Sequence, residues 1–321
     1  MKTTISGLAA RSCSDTPAGY HDLGPRARAP RLALVADLGG SELNGMFVLA
    51  RLAGFLKSIQ AGEQPGLRLR ERVVIIPAGH ALRAQGNYKV RGGLDLINAA
   101  GVRVQPVVDE LVAITRKAYY RVDIHTTSLD LEEMPQVRLY APNDDERASA
   151  CLFELPAVIE RPNDHGVASC LVRLWRVYGG ENFVIRAGQS GSLQTQHCEV
   201  LFRALVVFLD RTGIVSGLKL VDSDEDLRYF GAEQIFVVLA EQSGLFTSRL
   251  EVGRWVQAGE ELGHVYDSFS GGVKVRVVAP VAGLLASLRR QPLLCEGDLV
   301  ARILLPTRLA ACHASLGRRT A

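Results

Sequence analysis

The sequence predicts an α/β protein with a mostly parallel or mixed twisted sheet, helices on both faces, and a small C-terminal β-sandwich. Up to about residue 231, apolar runs that end in glycine or polar turns alternate with stretches of helical periodicity. This alternation is typical of a sheet covered by helices. From residue 232 onward the helical periodicity disappears, and short strands and glycine turns replace it. Ligands in α/β folds bind at the carboxyl ends of the strands, so we expect a site in the turns that follow them.

The predicted strands are apolar runs that stop at glycine, proline or a polar turn. In chain order they are RLALVADLGG, LRERVVIIPA, RVDIHTTS, QVRLYAP and NFVIRAGQSG. The predicted helices carry apolar residues at helical spacing. They are NGMFVLARLAGFLKSIQAG, VDELVAITRKAYY, HGVASCLVRLWRVYG and HCEVLFRALVVFLDRTG. We interpret NDDERA, at 143–148, as a solvated turn.

Composition divides the chain into four parts. Residues 1–30 are rich in Gly, Pro, Ser and Arg and are predicted to be a loose leader, residues 31–231 form the α/β domain, and residues 307–321 are a tail. Residues 232–306 contain two similar pieces, which suggests an internal repeat of two hammerhead halves that close into the sandwich. Lipoyl and biotin carrier domains have a similar plan, but no lysine stands at a hairpin tip beside methionines, so we expect no attached cofactor.

Charge and cysteine usage limit the class of protein. The formal net charge of +3 over 321 residues is too small to favour nucleic acid or an anionic membrane as a partner. No run of about 18 apolar residues and no secretory signal is present, so we expect a cytoplasmic protein. The cysteines are scattered without a CxxC pair, which indicates reduced thiols and neither a disulfide framework nor a cysteine zinc site: Cys13, Cys151, Cys170, Cys198, Cys295 and Cys312.

Three predicted strands end in turns that carry candidate site residues. Glu42 lies in GGSELNG, His125 in VDIHTTS and Arg186 in FVIRAGQSG. A further unit, ALRAQGNYKVRGGLDLINAAG, stands between the first and second of these turns. Because the three strands belong to one sheet, we expect Glu42, His125 and Arg186 to lie in one cleft.

Two further segments, in the C-terminal part, are LGHVYDSFSG and APVAGLLASLRRQPLLCEGDLVARI. Together with the order of the motifs above, they make the chain resemble the succinylglutamate desuccinylase/aspartoacylase family. The resemblance covers roughly residues 30–306 and implies a zinc carboxypeptidase-like fold. It further implies zinc-dependent hydrolysis of N-acyl amino acids, with zinc held by a His-x-x-Glu turn and a later histidine. A downstream glutamate then acts as general base, and an Asp-Leu-Asn-Arg segment holds the substrate.

The match is incomplete at the positions where the resemblance places the chemistry. Glu42 and His125 match two zinc ligands, and Asp123 matches the acid beside the second histidine, but Gly39 stands at the first zinc histidine. Arg186 stands at the general-base glutamate. Glycine offers no donor atom, and a guanidinium cannot accept a proton at neutral pH. The resemblance therefore implies zinc that is weakly bound or absent.

The remaining substrate positions are carried over in the same way. DLINAA, which begins at Asp95, replaces Asp-Leu-Asn-Arg, so the substrate arginine has no clear match. The residues expected to face a ligand are Arg83, Asp95, Asn98, Thr126, Thr127 and Arg186. The ligand implied is a small anionic or amino-acid-like molecule.

Simpler interpretations remain open for each residue. Glu42 is also suited to cap the helix that follows it. His125 is compatible with a core histidine bonded to the backbone. Arg186 is compatible with a position in solvent, or with an ion pair to Glu42 or to an unrelated carboxylate. A shifted metal site made by His80, Glu42 and His125 is a further alternative.

Three hypotheses follow. The preferred one is a non-hydrolytic protein that binds a small anion, or that serves as a noncatalytic partner of an active paralogue. The second is an active N-acyl amino acid amidohydrolase with a rebuilt metal site. The third is an interaction protein whose C-terminal sandwich docks a partner, and a homo-oligomer is compatible with any of the three.

Overall fold

The computed structural model describes residues 19–36, 41–78, 105–162, 170–220 and 228–306. The strands are β1 His21–Leu23, β2 Leu32–Ala36, β3 Arg68–Leu69, β4 Val73–Ile76, β5 Tyr120–His125, β6 Leu131–Tyr140, β7 Ala157–Arg161, β8 Glu181–Gly188, β9 Val215–Ser216, β10 Arg228–Phe230, β11 Ile235–Leu239, β12 Gly244–Thr247, β13 Trp255–Val256, β14 Glu261–Tyr266, β15 Val273–Val278, β16 Gly283–Arg289, β17 Leu293–Leu294 and β18 Leu299–Leu304. The helices are α1 Leu43–Gln60, α2 Gln105–Thr115, α3 Asp144–Ala150, α4 Cys170–Trp175 and α5 Thr195–Arg211.

One large mixed sheet dominates the molecule. Its strands lie in the order β1-β4-β2-β5-β8-β6-β16-β18-β11, and β7, β10 and β13 pair beside this path. The neighbours β4, β2, β5 and β8 run parallel, whereas β6 runs antiparallel to β8. The parallel strands place their carboxyl ends at one edge of the sheet, which is where the candidate site residues follow them.

Helices cover both faces of this sheet, as predicted. The alternating side chains of β2 show the two layers, because Leu34 faces a core that contains α1 and α5, whereas Val35 faces a core that contains α2 and α4. All five β2 side chains are buried. A strand that is apolar on both faces is expected in the middle of such a sandwich of layers.

The C-terminal part consists of strands. Between residues 228 and 306, the helical content is a single short 3₁₀ turn, Ala232–Gln234. A four-stranded sheet, β15-β14-β12-β17, packs against the end of the large sheet, and Phe246, Leu262, Leu285 and Ile303 contribute to the shared core. β16 pairs antiparallel with β6, so the large sheet continues from the α/β part into the C-terminal part. The predicted boundary near residue 231 stays a prediction.

The segment NDDERA is a helix, and its interpretation as a solvated turn is wrong. Asn143 caps α3 because its side chain accepts a hydrogen bond from Glu146 N at 2.8 Å, while Glu146 Oε2 accepts from Asn143 N at 3.2 Å. This reciprocal capping box satisfies two backbone donors at the start of the helix. Glu146 is buried and its second oxygen accepts from Asn182 N at 3.0 Å. Because the segment is rich in acidic residues, the sequence analysis did not identify Glu146 as a buried residue.

Other boundaries also differ from the sequence prediction. α2 ends at Thr115, earlier than the predicted helix, because the chain turns there into β5. β6 begins at Leu131, five residues before the predicted strand, and the sequence analysis did not identify β7. Among the helices of the described residues, none combines the length and the apolar character that crossing a bilayer requires.

Candidate functional site

The three strand-end residues lie along one edge of the sheet. Glu42 is the N-cap residue of α1, which follows β2, but its side chain makes no capping hydrogen bond. His125 is the last residue of β5 and is the register partner of Arg186 on the parallel neighbour β8. Paired residues of parallel strands point to the same face of a sheet. The side chains of His125 and Arg186 therefore share one face at the carboxyl edge.

His125 lies between two carboxylates. Its Nδ1 is 2.8 Å from Glu42 Oε1, and its Nε2 is 2.8 Å from Asp123 Oδ2. Burial lowers the pKa of His125, but the charges of Asp123 and Glu42 and the hydrogen bonds to both raise this pKa well above its usual value. A carboxylate oxygen faces each ring nitrogen, and this arrangement favours the protonated imidazole.

Arg186 contacts a carboxylate that the sequence analysis did not identify. Its Nη1 lies 3.8 Å from Glu133 Oε2, and Glu133 is 1% exposed. The same carboxylate also takes Arg138 at 2.6 Å and Arg302 at 3.2 Å on its other oxygen. Burial raises the pKa of Glu133, but Arg138, Arg186 and Arg302 together hold this pKa below its usual value. Glu133 is therefore an anion shared by three guanidinium groups.

The polar turn after β5 adds hydroxyl groups to this edge. Thr126 is buried, and its Oγ1 has no hydrogen-bond partner among the described residues. Thr127 donates its backbone N–H to Gly188 O at 3.4 Å, which ties this turn to the end of β8. The expected ligand-facing residues Thr126 and Arg186 thus lie on neighbouring strand ends.

A hydrogen-bonded network fixes the turn that follows β8. Asn44, in the first turn of α1, is fully buried and accepts from Gln194 N at 2.8 Å through its Oδ1. Gly188 has a φ of +79°, and a Cβ there would stand 2.2 Å from Asn44 Nδ2. Only glycine fits both the backbone conformation and this close approach. The network therefore holds the end of β8, two residues beyond Arg186, against α1.

The comparisons with known proteins agree with this architecture. No family model matches the chain, and no curated protein matches it. Among solved structures, the product-bound ectoine utilization protein EutE (DoeB) from Ruegeria pomeroyi is 21% identical, with a TM-score of 0.62 over 87% of this chain and 86% of that chain. A succinylglutamate desuccinylase/aspartoacylase from Rhodobacter sphaeroides is 18% identical, with a TM-score of 0.65 over 86% of each chain. An aspartoacylase family protein from Mesorhizobium loti is 15% identical, with a TM-score of 0.60 over 87% of each chain.

The chain has the fold of the succinylglutamate desuccinylase/aspartoacylase proteins. The similarity extends over the α/β part and the C-terminal strands, because each of the three alignments covers more than four fifths of both chains. At these identities the similarity establishes the fold. The chemistry has to be argued from the residues of this chain.

The described residues include two of the zinc ligands that the resemblance implies, Glu42 and His125. The two matched ligands are neighbours, since Glu42 Oε1 lies 2.8 Å from His125 Nδ1, and Asp123 Oδ2 lies 2.8 Å from the other ring nitrogen. Within the described ranges, no group of three His, Cys, Asp or Glu side chains is placed to hold a metal. Zinc sites in proteins use at least three such ligands. Glu42 and His125 alone supply two.

Several predicted site residues lie outside the described ranges. These are Gly39, which the resemblance places at the first zinc ligand, and His80, Arg83, Asp95 and Asn98. Their assignments stay predictions. Whatever its position, Gly39 has no side chain that could bind a metal.

Glu133 escaped the sequence analysis for a local reason. It precedes the predicted strand QVRLYAP, and the pair Glu132–Glu133 has the composition of a solvated turn. The pair instead begins the buried strand β6, where Glu133 faces Arg302 of β18, 169 residues later in the chain. The available signal was the pair of apolar residues Met134 and Val137 that follow Glu133, and this signal is weak because Pro135 stands between them.

Proposed function

We propose that this chain is a non-hydrolytic protein of aspartoacylase-like fold that binds a small anionic, amino-acid-like ligand at the carboxyl edge of its sheet. The observation that carries the proposal is the position of Arg186. Arg186 is the register partner of His125 on the neighbouring strand, at the position where the resemblance places a general base. A guanidinium stays protonated at neutral pH and attracts an anion.

The loss of hydrolysis rests on two separate features. Arg186 cannot accept a proton from water, so the general-base step has no acceptor at this position. Gly39 offers no donor atom, so Glu42 and His125 are the only residues that match zinc ligands, and two are too few for a tight zinc site. Either feature alone slows zinc-dependent amide hydrolysis by orders of magnitude, and together they remove both the metal and the base.

Anion binding rests on donors that the fold leaves available. The Nε of Arg186 is buried and has no hydrogen-bond partner in the described part of the chain. Its contact with Glu133 is long, at 3.8 Å, and two other arginines share that carboxylate. The guanidinium therefore keeps charge and donors for a second acceptor. Thr126 Oγ1 is a further donor on the neighbouring strand end.

A thermal-shift and calorimetric screen of small carboxylates and phosphates tests this proposal. We expect at least one anion to raise the Tm progressively with its concentration and to show a saturable binding isotherm in calorimetry, because the ligand would neutralise Arg186 in the folded state. Arg186→Ala and Arg186→Glu should both abolish the response. Arg276→Ala is the matched control, because Arg276 is an exposed arginine of the C-terminal part and should keep it.

Two results would contradict the proposal. If no anion shifts the parent protein and Arg186→Ala destabilises it strongly, Arg186 is a structural partner of Glu133 and the binding proposal fails. Hydrolysis of N-acetyl-aspartate or N-succinyl-glutamate by the parent protein, removed by a chelator, would support an active enzyme with a rebuilt metal site instead.

A further inference from the structure

A row of apolar side chains crosses the outer face of the four-stranded sheet in the C-terminal part. The register pairs Leu293 of β17 with Leu245 of β12, and Leu245 with Tyr266 of β14. Tyr266 in turn pairs with Val273 of β15. Paired residues of neighbouring strands lie side by side on one face of a sheet. Leu293, Leu245 and Val273 are 65%, 38% and 57% exposed, so the row faces solvent in the single chain.

The inner face of the same sheet is packed. Phe246, Val265 and Leu294, which follow or precede the row residues in sequence, are buried in the core shared with the large sheet. An antiparallel sheet with one packed face normally carries polar residues on its other face. A row of exposed apolar residues across all four strands therefore indicates a surface that a partner covers.

Phe269 extends this apolar surface at the tip of the β14–β15 hairpin. Its side chain is 99% exposed. The turn that carries it is fixed by Asp267, whose Oδ1 accepts from Phe269 N at 3.1 Å and from Ser270 N at 2.7 Å. Asp267 also donates its backbone N–H to Gly272 O at 2.8 Å. A turn that is ordered in advance presents an aromatic anchor at little entropic cost, and such anchors dominate the binding energy of interfaces.

A pocket adjoins the row on the side away from the hairpin tip. Its volume is about 300 Å³, and Thr247, His264 and Tyr266 contribute to its lining. Thr247 and His264 are register partners, and the rings of His264 and Tyr266 have their centroids 6.0 Å apart. Leu250 and Leu262 add apolar surface to the lining. A pocket of this volume is at the small end of those that hold a ligand, and it accommodates a phenyl ring.

Phe269 and the pocket stand on opposite sides of the apolar row at similar distances. His264 is two residues before Tyr266, which at about 3.3 Å per residue is about 7 Å from the row. Phe269 is three residues beyond Tyr266, at a turn that reverses the chain, so its distance from the row is no more than about 10 Å. A two-fold axis through the row therefore places the Phe269 of each copy over the pocket of the other, and one apolar row against the other.

The charges of this face suit pairing with itself. Beside the row, Arg276 is bound to Glu261 at 3.0 Å, and their side chains are 61% and 41% exposed. Residues 241–279 carry four Lys or Arg side chains and five Asp or Glu side chains. Apolar tips that insert into an anionic membrane are accompanied by an excess of basic residues, which this segment lacks. Both signs side by side are what a two-fold contact between identical surfaces requires.

We propose that the outer face of the four-stranded sheet is the interface of a two-fold symmetric dimer of this chain, in which Phe269 of each copy enters the pocket beside Thr247 and His264 of the other. Four strands about 4.8 Å apart and up to about six residues long cover roughly 20 Å by 20 Å, or about 400 Å² per copy. Stable complexes bury about 800 Å² per partner. We therefore expect a weak dimer that dissociates on dilution in the micromolar range.

Sedimentation equilibrium of the full chain over about 1–200 µM tests the proposal. The mass should rise from 34.8 kDa towards twice that value and then level off. Phe269→Asp should raise the dimer Kd at least about thirtyfold, because it removes the anchor. Leu245→Asp should raise it about tenfold, because it places a charge in the apolar row. Val177→Asp is the matched control, since Val177 is 79% exposed in the α/β part, and it should leave the Kd unchanged.

Three outcomes would overturn the proposal. A mass of one copy at the highest concentration would show that a second copy does not cover this face. A dimer with the same Kd in the parent protein and in Phe269→Asp would place the interface elsewhere. A mass that continues to rise beyond two copies would contradict the two-fold arrangement. Equal Tm values of the variants at the lowest concentration show that they fold, and none of the variants alters the sheet-edge site, so the result is independent of anion binding at Arg186.

Discussion

Buried carboxylates hold the basic side chains at and near the candidate site in position. Glu133 lies among Arg138, Arg186 and Arg302, while Glu42 and Asp123 hold His125 between them. Removing one partner of such a buried set costs about 3–5 kcal/mol, because it leaves charge without compensation. The residues at the candidate site are therefore held in position by ion pairs, and Arg186 is part of that arrangement.

Glu132, the residue before Glu133, gives a pH-dependent prediction. Its carboxylate lies 2.7 Å from His197 Nε2, accepts from Gln194 Nε2 at 2.8 Å and binds Arg290. Burial raises the pKa of Glu132, but His197 and Arg290 outweigh it and hold this pKa below its usual value. A lowered pKa in the folded state stabilises the protein above the unfolded value of about 4.3, and the contribution is lost as pH falls through the folded pKa.

We therefore expect Glu132→Gln to lower the free energy of unfolding by about 1–3 kcal/mol at pH 7. The difference from the parent protein should shrink as pH falls through the lowered folded pKa of Glu132, because the parent carboxyl then becomes protonated as well. Urea unfolding at several pH values measures this, and Glu63→Gln, at an exposed helix end, should leave stability unchanged throughout. An effect of Glu132→Gln that is equal at all of these pH values would show that the charge of Glu132 contributes nothing.

At the scale of elements, α3 is a short helix that depends on its cap. It has seven residues, so its own hydrogen bonds stabilise it little. We expect Asn143→Ala to destabilise the protein by about 1 kcal/mol, because the N–H of Glu146 loses its acceptor. Asn143→Asp should be nearly neutral, since a carboxylate caps equally well. Chemical denaturation of the two variants compares them, and equal stability of Asn143→Ala and the parent protein would refute the role of the cap.

The elements of the fold differ in how clearly the sequence predicts them. β2, α1, β5, β8 and α5 were predicted because their apolar residues repeat with a clear period over long stretches. α3 was missed because its charged residues conceal the Asn-x-x-Glu capping signal, and Glu146 has a buried role that composition does not indicate. Contacts such as Glu133 with Arg302 join residues far apart in the chain. No local pattern specifies such a pairing.

At the scale of the whole molecule, the aspartoacylase-like fold is retained while the candidate chemical positions differ from the pattern that the resemblance implies. The sheet places His125 and Arg186 side by side, as the order of strands predicted. The residue types in the motifs predicted only part of the site. The carboxylate that contacts Arg186 is Glu133 on β6, which lies outside the motifs used in the sequence analysis. The central claim is that this fold here carries a guanidinium at the carboxyl edge of its sheet and lacks a tight zinc site.

Zinc binding by the full chain tests that claim most directly. Metal-free protein is titrated with zinc, dialysed and analysed for bound metal, with Gly39→His as the matched variant that restores a third ligand. The account predicts well under one equivalent of zinc in the parent protein and a higher zinc affinity in Gly39→His, because two side-chain ligands hold zinc poorly and three hold it well. One equivalent of zinc retained by the parent protein, together with deacylation of N-acetyl-aspartate, would contradict it.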